Sequence, residues 1–217
     1  RSILYQALIF RMKASFDPEQ QIGRIESKIV VALERLFEAF RVLLWQEGKR
    51  HGLSPIQIQV LLFLYYHSSD KSRISYLADE FNMTKATMSD SVRILFQKGL
   101  VEKQLDQSDA RSHLMHLTEA GRRIAIDTEH YASIMEESLA GLSPLLQQSM
   151  MEGLLELIAG LSRSGVITAQ RMCTSCRYYS RRSGKVFCSL LQQELSSIEI
   201  RLDCPEHSPN EDADKGY

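Results

Sequence analysis

The feature that most constrains the fold is a series of helix start and stop signals that ends in a hairpin pattern. Ser54-Pro55-Ile56-Gln57 puts a hydroxyl N-cap before Pro and a Gln three residues after the cap, which predicts a helix to about Tyr66. A short helix is predicted over 74–81, and Asn82 can form the left-handed turn after it. Thr84 can cap a third helix, which Gly99 ends. Strand-like runs at 100–105 and 112–117 flank a polar turn, so a β-hairpin completes the unit.

Long amphipathic helices flank this unit. Asp17-Pro18-Glu19-Gln20 predicts the start of a helix whose apolar residues recur at three- and four-residue steps to Leu44, with Gly48 and Gly52 closing it. After the hairpin, one helix is predicted from Thr118-Glu119 to about Leu139 and another from Ser143-Pro144 to Leu161. The outer helices carry more apolar surface than one small domain needs, so we expect a homodimer built from them. The stripe in the last helix is assigned to an interface or core and not to a ligand pocket; it comprises Met150, Met151, Leu154 and Leu157.

Fragments spread over 53–123 carry a family resemblance. They are Leu53-Ser54-Pro55-Ile56-Gln57, Leu77-Ala78-Asp79-Glu80-Phe81, Thr84-Lys85-Ala86-Thr87-Met88-Ser89, Lys98-Gly99-Leu100-Val101, Asp106 with Asp109-Ala110-Arg111, and Leu117-Thr118-Glu119-Ala120-Gly121. In this order and spacing the segment resembles the MarR (multiple-antibiotic-resistance-regulator) family of bacterial transcription factors. The resemblance implies a winged helix-turn-helix, a homodimer, and binding to double-stranded DNA at a pseudo-palindromic operator, with repression as the expected outcome.

The third helix is the expected DNA-reading element. Its apolar residues must pack on the domain, which leaves the opposite face to reach base edges and phosphates in the major groove. That face is predicted to comprise Lys85, Ala86, Thr87, Ser89, Asp90 and Arg93. Asp90 departs from the Arg that similar proteins have there, so the target sequence stays open. The alternative interpretation is an ordinary solvated helix face.

The hairpin tip carries one further DNA-binding prediction. Arg111 suits a narrow, electronegative minor groove, and the resemblance implies that Asp109 holds it. Replacing Arg111 by Ala should then weaken operator binding by about tenfold or more without lowering the melting temperature much. A surface salt bridge between the two residues is the alternative.

The four cysteines all follow residue 172, and here the sequence departs from the usual family pattern. Cys173-Thr174-Ser175-Cys176 can clamp a metal from a tight turn, and Cys188 and Cys204 can complete a tetrahedron. Structural zinc is the first interpretation; an iron–sulfur cluster and metal-free regulatory thiols are the alternatives. His207 is a further candidate ligand. Nearby basic residues can offset the charge of four thiolates: Arg171, Arg177, Arg181, Arg182 and Lys185.

The fold class that follows is mainly α with a small β-hairpin wing: a winged helix-turn-helix with long dimerisation helices, plus a small four-cysteine C-terminal module. The expected division is 1–52 for N-terminal dimerisation helices and 53–118 for the DNA-binding domain. Residues 119–165 then form C-terminal dimerisation helices, and 166–217 the cysteine-rich metal-binding module with an acidic tail.

Composition narrows the remaining function classes. The net charge of −1 means that DNA binding must rest on local pattern and not on overall basicity. No apolar run approaches the length of a membrane span and no signal peptide is recognised, so a cytoplasmic location is expected. No catalytic constellation is found, and the chain is predicted not to be an enzyme. The effector that changes DNA affinity is expected to be a small ligand or the metal or redox state of the cysteines. Two other functions compete with transcriptional regulation: a thiol oxidoreductase and a protein-binding adaptor.

Overall fold

Helices dominate the architecture of the computed structural model, which describes residues 14–106, 109–168, 171–182 and 184–210, apart from the side chains of residues 20, 109–111 and 182. The α-helices are α1 (Ile25–His51), α2 (Pro55–Tyr66), α3 (Ile74–Glu80), α4 (Lys85–Gln97), α5 (Glu119–Thr128), α6 (Ser133–Ala140) and α7 (Pro144–Arg163). The strands are β1 (Val101–Asp106), β2 (Asp109–Leu117), β3 (Tyr179–Arg182), β4 (Lys185–Cys188) and β5 (Gln193–Leu195). The first 13 residues of the predicted N-terminal dimerisation helices and most of the acidic tail lie outside the described residues.

One hydrophobic core joins α2, α3, α4, the hairpin and α5. The predicted capping box is present at α2, where Ser54 and Gln57 exchange side-chain and backbone hydrogen bonds. Asn82 has φ 50°, so the predicted left-handed turn between α3 and α4 is confirmed. The residues predicted to pack between these helices are buried, except that Phe81 is only partly so: Leu77, Ala78, Met88, Val92 and Leu95. Sequence patterning therefore predicts this core correctly.

The hairpin is longer than predicted. Strands β1 and β2 pair antiparallel from Val101 opposite Leu117 to Asp106 opposite Asp109, with an irregularity after Leu105. The prediction of a turn over 106–111 was therefore wrong at 106 and 109–111, which belong to the strands; residues 107–108 lie outside the described residues. Met115 of β2 is buried, and its backbone N–H donates to Ser72 Oγ at 3.0 Å, which fastens the hairpin beside the start of α3.

Two predicted helices have different bounds in the structure. Asp17 does cap a turn, accepting from the N–H of Glu19 at 3.0 Å, but the turn is a 3₁₀ helix over Pro18–Gln21. Gly23, at φ +76°, separates that turn from α1. Gly48 lies inside α1, and Gly52 alone is its C-cap, with φ 63°.

The helix predicted from Thr118 to Leu139 is divided into α5 and α6. The hydroxyl of Thr128 donates back to the carbonyl of Ile124 at 2.8 Å, a bond that competes with regular helix geometry. The N–H of Tyr131 then donates to the Thr128 carbonyl at 3.1 Å and forms a turn after α5. The prediction of one continuous helix was wrong because it followed apolar spacing and neglected this side-chain bond.

The outer helices leave large apolar side chains exposed. Phe37 and Trp45 of α1 are 68% and 53% exposed, and Leu145 of α7 is 75% exposed. Helix α7 buries only Leu155. Among the residues that the structure describes, none of the helices is both long and apolar enough to cross a membrane.

Candidate nucleic-acid interface and cysteine module

Helix α4 presents the face that the sequence predicts for DNA reading. Thr84 caps it, with its hydroxyl accepting from the N–H of Thr87 at 3.1 Å. All six predicted positions are exposed: Lys85, Ala86, Thr87, Ser89, Asp90 and Arg93. Asp90 Oδ1 accepts from Arg93 at 3.0 Å, so the one carboxylate among them is neutralised by its neighbour on the same helix. The face is therefore largely polar, combines short side chains with two cations, and has no unpaired negative charge at that position.

A cleft of about 290 Å³ lies between α4 and the hairpin. Its lining consists of Arg73, Ile74, Ser75, Ser89, Val92, Arg93, Lys103, Ser112, His113 and Met115. Among the described residues that line it there is no Asp or Glu, whereas two Arg and one Lys are present. A concave surface lined by cations and hydroxyl groups has the chemistry to hold phosphates and sugar edges.

Lys103 is a candidate residue that the sequence analysis missed. It stands directly opposite Met115 in the hairpin, and opposed residues of an antiparallel pair project from the same face. Because Met115 is buried against the helices, Lys103 is carried to the edge of the cleft. Its Nζ lies 5.2 Å from the Phe96 ring centroid. The strand-like run at 100–105 placed Lys103 in the hairpin, but neither the pairing with Met115 nor the orientation of the hairpin followed from the sequence.

An ion pair fixes the hairpin relative to α3. Arg73, which precedes α3, donates from Nε to Asp106 Oδ2 at 2.6 Å, and its Nη2 contacts the same oxygen. Asp106 is buried, at the end of β1. A buried carboxylate needs such a partner, so the pair orients the base of the wing. The side chains of Asp109 and Arg111 at the tip lie outside the described residues; their backbone belongs to β2.

Backbone pairing positions each of the four cysteines. Cys173 begins a 3₁₀ turn over Cys173–Ser175, and the N–H of Cys176 donates to its carbonyl at 3.0 Å. Cys188 ends β4, and Cys204 donates its N–H to the carbonyl of Arg171 at 2.9 Å. All four thiols are free. The three-stranded sheet β3–β4–β5 and these turns build the cysteine module, which we define as residues 171–210 within the described ranges.

The thiols share one part of this module without forming a closed ligand set. Burial raises the pKa of the Cys173 thiol, the N–H of Arg201 opposes this with a hydrogen bond to Sγ at 3.3 Å, and the other thiols raise it further. In the part of the chain that the structure describes, no three His, Cys, Asp or Glu side chains are grouped so that they could hold a metal ion. Metal binding would therefore have to draw the thiols together.

Neighbouring charged groups in the module are largely paired. Arg181 contacts Glu156 of α7, and Lys185 Nζ donates to Glu194 at 2.7 Å. His207 Nε2 lies 3.0 Å from Ser175 Oγ, and burial lowers the pKa of this imidazole. Arg171 also binds carboxylates, so three of the basic residues predicted to offset four thiolates already have such partners: Arg171, Arg181 and Lys185.

The winged-helix segment is similar to a known protein family. Residues 51–112 match the model of the MarR family. The segment is thus similar to the winged-helix part of MarR-family proteins, and the match spans less than half of the chain. The MarR family consists of transcription regulators and not of enzymes, which agrees with the prediction that the chain is not an enzyme. No curated protein sequence matches the chain.

Solved structures with the same fold include two DNA complexes. A Staphylococcus aureus MepR–DNA complex is 20% identical, with a TM-score of 0.55, covering 60% of this chain and 96% of the other. Streptococcus pneumoniae FabT in complex with DNA is 23% identical, with a TM-score of 0.54, covering 63% and 97%. A MarR regulator from Methanosarcina mazei Go1 is 22% identical, with a TM-score of 0.52, covering 61% and 94%. These likenesses show that the MarR-type domain and its flanking helices adopt the MarR fold.

Proposed function

We propose that the chain is a transcriptional regulator that binds double-stranded DNA in a sequence-specific manner, acting as a homodimer and most simply as a repressor. The observation that carries the proposal is the cleft between α4 and the hairpin, whose described lining includes Arg73, Arg93 and Lys103 and no carboxylate. Arg73 and Arg93 are paired with Asp106 and Asp90 beside the cleft, so among the described ion pairs Lys103 is the cation without a carboxylate partner. Phosphate contacts from such a surface supply affinity that is independent of sequence. The short side chains at the exposed start of α4 would supply readout of base edges.

Within that proposal the residues have distinct roles. Ala86 and Thr87 suit contacts with thymine methyl groups, and Ser89 suits hydrogen bonds to base edges or phosphate. Lys85 and Arg93 would bind guanine or phosphate, with Asp90 orienting the Arg93 guanidinium through their ion pair. Arg111, steadied by Asp109, remains the proposed minor-groove residue of the wing.

The homodimer is inferred from the outer helices. Large side chains stand exposed along α1 and α7, and a single copy of the chain gives them little to pack against. A second copy with the same exposed stripes would bury them across a two-fold axis. Two MarR-type domains held this way would read half-sites about one helical turn apart, roughly 10 base pairs.

The cysteine module is proposed to hold one zinc ion through Cys173, Cys176, Cys188 and Cys204. Four thiols in one small segment are a donor set that suits zinc, which in such sites supplies folding energy and no chemistry. The N–H of Arg201 on Cys173 Sγ is the kind of hydrogen bond that stabilises a thiolate ligand. An iron–sulfur cluster would use the same donors.

A thiol oxidoreductase is not favoured by this arrangement. A redox-active Cys-x-x-Cys needs an exposed thiol of lowered pKa, whereas Cys173 is buried and its pKa is raised. A protein-binding adaptor has no specific observation in its support.

Selection of duplexes from a random-sequence pool tests the proposed function. Repeated capture by the full chain should enrich a pseudo-palindrome with half-sites about 10 base pairs apart. The matched variant Arg93→Gln should retain the fold, as checked by circular dichroism, and change or abolish the enriched sequence. A pool that stays random after selection with the wild-type chain would contradict the proposal.

Elemental analysis after purification without oxygen tests the metal. One zinc per chain and a colourless protein would support the zinc proposal. A brown protein with iron and sulfide would replace zinc by a cluster, and a protein with four titratable thiols and neither metal would refute both.

A further inference from the structure

Arg171 joins the cysteine module to the helix-turn-helix through a buried guanidinium. Only 5% of the residue is exposed, and its five N–H donors are all used. Nε and Nη2 donate to Asp203 at 2.7 and 3.1 Å, Nη1 donates to Tyr76 Oη at 3.1 Å, and both Nη atoms bind the Glu80 carboxylate. Tyr76 and Glu80 belong to α3, the first helix of the helix-turn-helix. The guanidinium of Arg171 thus binds two carboxylates, each through two N–H donors: Glu80 on α3 and Asp203 in the module.

Aromatic residues of the winged-helix domain enclose this group. The Phe63 ring of α2 lies 5.0 Å from the guanidinium carbon, and His67 stacks on Phe63 at 4.0 Å between ring centroids. His67 also binds Asp203 at 2.7 Å. Burial opposes ionisation of Asp203, but hydrogen bonds from Arg171 and His67 outweigh it and lower the pKa of this carboxyl to about 2. The pair of Arg171 and Glu80 is therefore largely desolvated, whereas the Asp203 side chain at the other end of the network is 45% exposed.

The same two backbone segments carry this network and two of the cysteines. Arg171 lies two residues before Cys173, and Asp203 directly precedes Cys204. The segments are joined by hydrogen bonds from Cys204 N to Arg171 O at 2.9 Å and from Cys173 N to Arg201 O at 3.0 Å. A change that separates Cys173 from Cys204 must also move Arg171 away from Asp203 or from Glu80.

We propose that the cysteine module is a clamp on the helix-turn-helix. While the backbone segments that carry Cys173 and Cys204 stay paired, as they are in this structure, the module is closed and Arg171 fixes α3. When the two segments separate, the module is open, α3 is released and DNA affinity falls. The inference rests on the proposed DNA-binding function for its outcome and on the Arg171 network for its mechanism. Opening would leave Glu80, whose side chain is only 16% exposed, without its cation. An unpaired carboxylate in that position is strongly unfavourable, so the end of α3 must rearrange to hydrate it.

The rearrangement reaches the DNA-reading helix through a short path. Glu80 is the last residue of α3, and Asn82 and Thr84 lead directly into α4. Asn82 is itself held by the segment before the module, since its Oδ1 accepts from the N–H of Thr168 at 2.7 Å. Loss of the Glu80 restraint loosens the turn that leads into α4, and the coupling expected for such a two-state element is about 5–150-fold in affinity.

Hydrogen exchange of the full chain with the module closed and opened tests the clamp. The module is opened with chelator followed by N-ethylmaleimide, which blocks all four thiols whatever they held. In the wild-type chain, amides over 74–84 should exchange about tenfold faster after opening. In Arg171→Met they should exchange fast in both states. The control Arg181→Met removes a different, exposed ion pair between the module and α7, and should respond as the wild type does.

Glu80→Gln provides a second variant if Arg171→Met does not fold, because it removes the charge from the α3 side and leaves the module intact. It should also abolish the difference between the two states. Equal exchange over 74–84 in closed and opened wild-type chain would overturn the clamp, as would a full response in both variants.

Binding to a duplex enriched from the random pool is measured on the same samples. Weaker binding after opening in the wild type and Arg181→Met, but not in Arg171→Met, supports the proposal. An exchange response with equal DNA affinity in both states overturns the regulatory claim. An exchange response with no DNA binding in either state would instead refute the proposed function and leave the mechanical clamp standing.

Discussion

Removal of one cation from the cleft should change how DNA affinity depends on salt. Lys103 lies at the edge of the cleft, is exposed, and has no carboxylate partner among the ion pairs of the described residues. Lys103→Gln keeps a side chain of similar length and removes the charge. If Lys103 contacts a phosphate, the variant releases one counterion fewer per protomer when it binds.

The size of the effect follows from counterion release. Each lost phosphate contact reduces the slope of log K against log salt by about 0.9, which is about 1.8 for a dimer. Between 50 and 200 mM salt, the wild-type dimer should therefore lose about 12-fold more affinity than the variant. Loss of the Lys103 contact with Phe96 should cost only about 0.5–1 kcal/mol of stability, since both groups are exposed.

Fluorescence anisotropy with a mixed-sequence duplex measures this slope, because the electrostatic contribution does not require an operator. Lys49→Gln is the matched control: it makes the same charge change on α1, outside the lining of the cleft. We expect its salt slope to equal that of the wild type. If the two variants give the same slope, the cleft is not where phosphates bind and the reasoning from its lining is refuted.

Three further predictions concern the fold and assembly. Thr84→Ala removes the N-cap of α4 and should lower the free energy of unfolding by about 1 kcal/mol, as measured by thermal denaturation; an unchanged melting temperature would contradict this. Gly121→Ala would place a Cβ 2.0 Å from the carbonyl oxygen of Leu100 and should cost about 1–3 kcal/mol, whereas Gly153→Ala meets no atom within 4 Å and should be neutral or stabilising; the opposite ranking in urea denaturation would refute the packing argument. Phe37→Glu puts a charge on the exposed stripe of α1 and should shift the chain from dimer to monomer in sedimentation velocity, while a dimer that persists would exclude this stripe from the interface.

Local signals predicted the DNA-binding domain because local and long-range preferences agree there. Ser54, Thr84 and Gly99 each mark a helix end that the core also requires, and the apolar positions between them face one another. The positive φ of Asn82 could also be predicted from the residue type alone. For the same reason, once the core positions of α4 were predicted, its remaining positions could be assigned to the exposed face.

Features that depend on a single distant contact could not be predicted from the sequence. Lys103 reaches the cleft only because the hairpin turns Met115 inward, and alternation in a strand does not say which way a hairpin faces. Arg171 lies in a polar stretch and meets Glu80 across 91 residues, so no local pattern could identify it as buried. The division of the helix after Thr128 came from a hydroxyl bond that apolar periodicity does not register.

Competition binding at physiological salt tests the central claim most directly. The full chain is bound to a labelled duplex enriched from the random pool, and is displaced either by the same duplex unlabelled or by its scrambled sequence. A sequence-specific regulator should prefer the enriched duplex by about a thousandfold or more. Equal displacement by the two competitors would show that the chain binds DNA only as a polyanion, and would contradict the account.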